Sequence, residues 1–424
     1  MIPKSTKQIL QSNSIIIIGA GASGLLASII LSRAGFKVKV FDKNKKIGRK
    51  ILATGNGRCN ISNQNILSSH FNFNSHSFIK YALKEFDYLK FEQFFQNIGL
   101  EFTVNKNKRV YPITLQASSV VDLLNYEALK LGVEFILNTE VNKVIFDKKK
   151  FLVYFDDKKQ ISDKVIIATG GLAYPRLGSC DAGHKFARIF GHNIIEPFAS
   201  LVQLCSNNDS IYNLSGVKIN AKATLEINGQ SYKSITSDIL FTNYGLSGDA
   251  ILDISRDASY FLSVQNDVTV VLDIFPHITK DILISKIIKR VKNSNGKDKY
   301  FWLEGFVNKK LIRYIIDNCG INNTIKQALQ FNKKDILNLV YFMKNMKVTI
   351  NSTKGFETAE VSAGGVDLSQ IESKTMQSKL QKGLYFTGEV VDVDGDCGGY
   401  NLHWAWASGY VCANSIINTN STHF

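Results

Sequence analysis

The sequence predicts an α/β protein built on a discontinuous, Rossmann-like dinucleotide-binding domain, interrupted by an inserted antiparallel β-barrel and a small helical domain. Three observations carry this reading. A glycine-rich turn, Gly19-Ala20-Gly21-Ala22-Ser23-Gly24, lies between a run of β-branched residues and a helical stretch. From about residue 198 the pattern changes to short alternating strands, and from about 276 to helical spacing. After about residue 347 it returns to α/β character. The expected boundaries are 1–197 with 347–424 for the nucleotide domain, 198–275 for the barrel and 276–346 for a three-helix domain.

Ser14–Ile18 is a short run whose last four residues are the β-branched isoleucine, as suits a strand buried on both faces. It enters the glycine turn, followed by a helical stretch 25–34, Gly35 as a stop, and a second strand Lys37–Phe41 closing on Asp42. In such a βαβ start the first glycine makes the tight turn, the second lets a pyrophosphate approach the backbone, and the third lets helix and strand pack. Ala22 and Ser23 open the helix, whose N-terminal amides and dipole favour an anion. Asp42 is placed to accept hydrogen bonds from a ribose, and an acid there disfavours a 2′-phosphate. The loop that follows gathers Lys43, Lys45, Lys46, Arg49 and Lys50, then Gly57, Arg58, Cys59 and Asn60. Bases and glycines together suit a second anion-holding loop.

Helical regions are expected over 78–99 and 118–132, flanking a short segment at 109–114. Strands at 134–137, 141–146 and 151–155 are spaced like a meander, with 148–150 and 158–159 as lysine-rich hairpin turns. A buried-type strand at 164–168 ends in Thr169-Gly170-Gly171, leaving amides open at the carboxyl edge of a sheet. Turns at Asn228-Gly229 and Gly245 punctuate the barrel, and apolar spacing gives helices at 280–291, 308–318 and 334–345. The last strand runs into Gly388-Glu389, and a loop with Gly395, Gly398 and Gly399 opens a helix at about 402–416. A helix N-terminus behind glycines stabilises negative charge on the N1 and C2 carbonyl side of a reduced flavin. A flavin needs that; a nicotinamide does not.

Composition sets outer bounds. With 45% hydrophobic and 21% charged residues over 424 positions, disordered, collagen-like and coiled-coil classes are excluded. The net charge of +15 comes from 51 Lys plus Arg against 36 Asp plus Glu, but only nine are Arg, the residue suited to bidentate phosphate or base recognition. The charge reads as a general anion preference, and neither nucleic acid nor a membrane is expected as a partner. Six cysteines at 59, 180, 205, 319, 397 and 412 form no CxxC pair and no zinc-spaced cluster, so neither a disulfide-reductase centre nor a metal site is expected. Lys4 and Lys7 ahead of the apolar stretch 15–31 imitate a signal peptide, but the glycine turn explains that stretch better. The expected location is the cytoplasm.

The segments GAGASG, GRKILATGNGRCNIS, ATGGLAYPRLGS, FTNYGLSGDAIL, TAEVSAGGV and GLYFTGEVVDVDGDCGGYNLHWAWASGY together resemble the BaiN/YhiN-type FAD-dependent oxidoreductases, also called the aminoacetone-oxidase family. The resemblance runs from residue 14 to about 416. It implies a flavoprotein fold of the two-dinucleotide-binding-domain type and tightly but non-covalently bound FAD. It also implies that Gly19, Gly21 and Gly24 hold the diphosphate, Asp42 the adenosine ribose, and Arg49 and Lys50 the adenine-side loop. Thr169 and Gly170 would line the adenosine half, Gly388 and Glu389 the ribityl side, and Gly398, Gly399, Tyr400 and Asn401 the isoalloxazine. Asp42 departs from the family's usual Glu, and His403 stands where Gln is common.

Such a protein would move hydride between flavin N5 and a small organic substrate or NAD(P)H, with oxygen or an enone as acceptor. One GxGxxG and no second leaves NAD(P)H as a transient visitor. His403 is the candidate proton donor or acceptor, against a structural role packed beside Trp404. Cys59 and Cys397 read as packing residues. The alternatives are an FAD-dependent tRNA-modifying protein and a non-catalytic flavin redox sensor. The sequence names no oligomeric state.

Overall fold

The computed structural model describes residues 14–421, so Lys4 and Lys7 lie outside the described residues. Two compact units are present, one holding the described residues up to Pro197 and from Glu360 onward, the other Phe198–Ala359.

In the first unit, β1 (Ser14–Ile18), β2 (Lys37–Phe41), β3 (Glu134–Ile136), β4 (Lys164–Ile167) and β5 (Leu384–Phe386) form a parallel sheet in the order β5-β4-β1-β2-β3. β1 is central, with Ile17 between Val40 and Ile166, and its residues Ile15 to Ile17 are at most 1% exposed. The strand order reverses between β1 and β4. In open α/β sheets the crevice at the carboxyl end of such a reversal is where ligands bind. α1 (Ala22–Arg33) joins β1 to β2, and α2 (Tyr400–Ser421) packs against it. Gly409 permits that approach, since a Cβ there would lie 2.6 Å from the Ser23 carbonyl oxygen.

Three expectations for this unit change. The 134–137 strand does not enter the meander but pairs in parallel with β2 as the sheet edge. The meander is Val141–Asp147, Lys150–Phe155 and Lys158–Ser162, so Lys158 and Lys159 are strand and the turn before them falls at Asp156, φ +47°. Aspartate tolerates that left-handed backbone better than most side chains. The 78–99 helix is two, His76–Glu85 and Tyr88–Asn97, because Asp87 accepts from the Lys90 amide at 2.9 Å and caps the second.

The second unit holds a seven-stranded antiparallel sheet where a barrel is expected, and its two end strands do not pair with each other among the described residues. Its order runs from Met346–Ile350 at one end to Ser352–Thr353 at the other. Asn228 and Gly229, both at positive φ, make the tight hairpin between Lys218–Ile227 and Gln230–Thr242. Residues 347–359, expected with the nucleotide domain, lie in this unit instead. Met346–Ile350 pairs with Val268–Asp273, and Ser352–Thr353 with Leu204–Cys205. A helix, Asp249–Ser263, occupies a stretch read only as strands, and buries Ala250, Ile251, Ile254 and Ala258 at helical spacing. Helices Lys280–Lys292, Lys309–Asn318 and Lys333–Lys344 fall where expected. Leu283, Ile287, Leu311 and Leu339 share one apolar core with Val270 and Leu272 of the sheet, so strands and helices form one body. No described helix is long and apolar enough to cross a membrane.

Candidate functional site

The carboxyl edge of the parallel sheet gathers most of the expected residues. Gly19 follows β1 at φ +111°, and a Cβ there would lie 2.3 Å from the Ala168 carbonyl oxygen at the end of β4. Gly24 is equally closed, since its Cβ would approach the Gly19 oxygen to 2.1 Å. Gly21 is the opposite case. It stands at the start of α1 with no side-chain cap and no atom within 4 Å of its Cβ position. The start of α1 therefore borders open space and carries no side-chain cap, which is the arrangement an anion requires. Ala22 is half-buried, and Ser23 is a packing residue, buried against Gly388 and Gly409.

Asp42 ends β2 with its carboxylate held from both sides. Oδ2 accepts from the Ala20 amide at 2.8 Å, and Oδ1 accepts from the Asn44 backbone amide at 2.8 Å and its Nδ2 at 2.9 Å. A carboxylate offers about four acceptor sites. Three are engaged, so one stays for a ribose hydroxyl. Across the strand reversal, Thr169 and Gly170 are half-buried, and Gly170, φ +76°, has nothing within 4 Å of its Cβ position.

The basic loop divides between structure and exposure. Arg49 donates to Asn44 Oδ1 at 2.6 Å and to the Arg176 carbonyl at 3.0 Å, tying two loops together. Lys50 pairs with Glu389 at 2.6 Å, and the other carboxylate oxygen of Glu389 accepts from the Ser362 amide and hydroxyl at 2.9 and 3.1 Å. Lys43 is half-buried, while Gly57 and Arg58 are exposed. Cys59 is fully buried, and burial pushes its thiol up to about 12, which removes it as a nucleophile. Asn60 has a buried Oδ1 without a partner, next to Gly399.

At the start of α2 the glycines serve backbone approach. A Cβ on Gly399 would lie 2.2 Å from the Ser62 carbonyl oxygen, and Gly398 takes φ +140° with its own carbonyl accepting from Asn63 Nδ2 at 3.0 Å. Tyr400 is buried and stacks on His70 at 4.3 Å. Asn401 clamps the loop, donating to the Gly395 carbonyl and accepting from the Gly395 amide, both at 2.8 Å. Gly388 sits under Trp404, which donates to its carbonyl at 3.1 Å.

His403 does not serve as a proton donor or acceptor in this geometry. It is 0% exposed, with Nδ1 2.8 Å from Ser62 Oγ and Nε2 2.9 Å from the Phe86 carbonyl. A carbonyl only accepts, so Nε2 carries the proton and Nδ1 accepts from Ser62. Phe86 and Phe91 enclose the ring, and burial lowers its pKa to about 4. The residue positions the Ser62 strand beneath Gly399.

Sequence reasoning missed the partners of these loops. Ser62, Asn63, His70, Asn72 and Arg109 brace the 392–399 loop, with Asn72 donating to the buried Asp394 at 2.8 Å and Arg109 reaching Cys397 Sγ at 3.7 Å. Ser362 is the hidden member of the Glu389 network. The 109–114 segment and the asparagines were visible, but not what they touch.

The residues present fit FAD at its adenosine diphosphate end. Two open glycines, 21 and 170, flank the strand reversal, an uncapped helix points at the gap, and Asp42 keeps one acceptor site. Residues 13–415 match the family model described as HI0933-like protein Rossmann domain. The chain is 34% identical over 409 residues, 95% of its length and 98% of the relative's, to a 3-dehydro-bile acid delta(4,6)-reductase of Clostridium scindens. It is 35% identical over 408 residues, 95% and 98% of the two lengths, to a ribosomal RNA dihydrouridine synthase of Haemophilus influenzae. A protein of the latter name from Escherichia coli is 33% identical over 410 residues, 96% and 98% of the two lengths.

Proposed function

The chain belongs to the HI0933-like Rossmann family and is an FAD-dependent oxidoreductase, and on that premise we propose that it reduces a carbon–carbon double bond conjugated to a carbonyl group, with NAD(P)H as transient electron donor. The observation that carries the cofactor half of this reading is the open, uncapped start of α1 at the strand reversal, beside Asp42.

Chemistry shared by two printed names supports the substrate half. A 3-dehydro steroid with unsaturation at positions 4 and 6 has its double bonds conjugated to the 3-ketone. Making dihydrouridine saturates the C5–C6 bond of a uracil, which is conjugated to the C4 carbonyl. Each reaction adds a hydride to the carbon remote from the carbonyl and a proton to the other. NAD(P)H gives up the hydride and leaves as NAD(P)⁺.

FAD, when bound, supplies the two-electron carrier between donor and substrate. The chain's own residues bind and orient it. The first-turn amides of α1, with Gly19, Gly21, Ala22, Ser23 and Gly24, take the diphosphate, and Asp42 takes one ribose hydroxyl. Lys43, Arg49, Lys50 and the 57–60 turn shape the adjoining loop. Thr169 and Gly170 line the adenosine half, Gly388 and Glu389 the ribityl side, and Gly398, Gly399, Tyr400 and Asn401 the isoalloxazine end. Lys50 and Ser362 hold Glu389 in place, and Asn401 holds the loop.

The test is anaerobic stopped-flow spectroscopy of the purified protein. Denaturation should release FAD, NADH or NADPH should bleach the flavin absorbance, and a cyclic enone or a uridine-containing RNA should restore it. Protein that releases no flavin removes the cofactor assignment. Flavin that reoxidises with oxygen but with neither substrate removes the conjugated-bond assignment.

A further inference from the structure

We propose that the helical part of the second unit is a docking site for the phosphate backbone of RNA. This rests on the reading of conjugated-bond reduction and deepens it with a partner, an RNA strand held by its backbone, for which the cavity in this part of the fold is the anchor.

Charge is the first ground. Residues 276–346 hold fourteen Lys plus Arg against five Asp plus Glu, so about a sixth of the chain carries +9 of its +15. Part of that excess converges on one place. A cavity of about 410 Å³ is lined by Lys286, Lys289, Arg290 and Lys297, with Asn293 and Ser294 between them and no carboxylate among the lining residues. Lys286, Lys289 and Lys297 form no ion pair with a carboxylate among the described residues. The C-terminus of the Lys280–Lys292 helix offers its cations roughly half a negative charge, too little to balance four. Like charges around one cavity repel, and an anion inside it relieves the repulsion.

Unsatisfied buried groups are the second and independent ground. Ser294, 1% exposed, is among the residues lining the cavity, and its buried hydroxyl has no partner. Arg290 is fixed by two bonds from Nη2 to the Trp302 and Glu304 carbonyls, both 3.1 Å, yet its buried Nε is unpartnered. A fixed guanidinium, an amide, a hydroxyl and three ammonium groups, that of Lys297 lying 5.9 Å from the Phe301 ring centre, are donors only or can donate, which is the complement of a phosphodiester.

The aromatic walls narrow the mode of contact. Phe306 is stacked on Phe275 at 4.8 Å, with the Arg290 guanidinium 5.1 Å from its ring centre. Trp302 is 2% exposed and donates to the Lys299 carbonyl. Neither ring is open to stack a base, so the site reads the backbone and leaves sequence unread.

The experiment uses the full-length, flavin-loaded protein and a fluorescein-labelled uridine-containing RNA hairpin, followed by anisotropy from 50 to 300 mM KCl. The triple variant Lys286→Ala, Lys289→Ala, Lys297→Ala is expected to lower the slope of log affinity against log salt by about 2 to 3, at roughly 0.7–0.9 per lost phosphate contact. At 100 mM salt the loss should be roughly tenfold or more. The charge-keeping triple variant with Arg at the same positions should bind as the wild type does, which separates charge from folding. An Ala variant that keeps wild-type affinity and slope overturns the proposal, as does a wild type that binds no RNA at 50 mM salt. Binding to phosphatidylserine vesicles through these lysines in place of RNA overturns it too. Enone reduction by the wild type tests the catalytic reading separately, because it needs no RNA.

Discussion

Gly21 separates what the fold needs from what the cofactor needs. Its φ of −84° and ψ of −169° lie in extended space open to any residue, and its Cβ position is clear of other atoms to 4 Å. Gly21→Asp therefore meets no steric obstacle. Asp caps a helix better than Gly by a few tenths of a kcal/mol, and removing a glycine's unfolded-state freedom adds about 0.4–1 kcal/mol. The flavin-free protein should gain roughly 0.5–1.5 kcal/mol in stability. The same carboxylate occupies the anion space ahead of α1 and claims its amides. Losing two charge-assisted hydrogen bonds at about 1.5–3 kcal/mol each weakens FAD binding by roughly 3–6 kcal/mol, or about 10²- to 10⁴-fold. The assay is titration of flavin-free protein with FAD by fluorescence quenching, beside thermal melts of both proteins without flavin. FAD affinity within about threefold of wild type would refute the placement of the diphosphate at α1. A markedly lower melting temperature would refute the claim that Gly21 faces open space.

Gly24→Ala should behave in the reverse way. Its methyl group meets the Gly19 carbonyl oxygen at 2.1 Å, an overpacking that costs about 1–3 kcal/mol and should lower the melting temperature of the flavin-free protein. His403 gives a pH signature. Its folded pKa of about 4 lies below the ordinary 6.5, so the unfolded chain takes up the proton first and stability falls as pH drops from 6.5 toward 4. By pH 5 the loss from this group is about 2 kcal/mol, and His403→Gln should flatten that part of the profile in urea midpoints at pH 7.5 and 5. Equal acid sensitivity in the two proteins would dismiss the assignment. Residual sensitivity is expected from His184 and His192, whose pKa values burial also lowers. Cys59, buried and held protonated, should escape iodoacetamide at pH 8 in the native protein and react after denaturation, as read by mass spectrometry.

What the sequence could disclose depended on how far away each residue's partner lies. The glycine turn was legible because strand, turn and helix are contiguous and Gly24 answers to Gly19 five residues away, although what closes on Gly19 itself, the Ala168 carbonyl, is far off in the chain. The Asp249–Ser263 helix carries its own signal in the spacing of Ala250, Ile251, Ile254 and Ala258, but the alternating strands on either side mask it. The reversal between β1 and β4 was not legible, since it joins residues about 150 positions apart. His403 follows the same rule. Its place one turn beyond Gly399 suggested the flavin, while its partners Ser62 and Phe86 lie more than 300 residues away and turn its ring into an aromatic cluster.

Charge shows the same dependence on partners. The bases at 43–50 suit an anion-holding loop by sequence, yet Arg49 and Lys50 are spent on Asn44, Arg176 and Glu389. In the helical block no carboxylate lines the cavity, and Lys286, Lys289 and Lys297 are left unpaired with acids among the described residues. A charge binds an external anion only where the fold has not already given it one. The distribution of unpaired cations, rather than their local density along the chain, therefore decides which basic segment is available to a ligand.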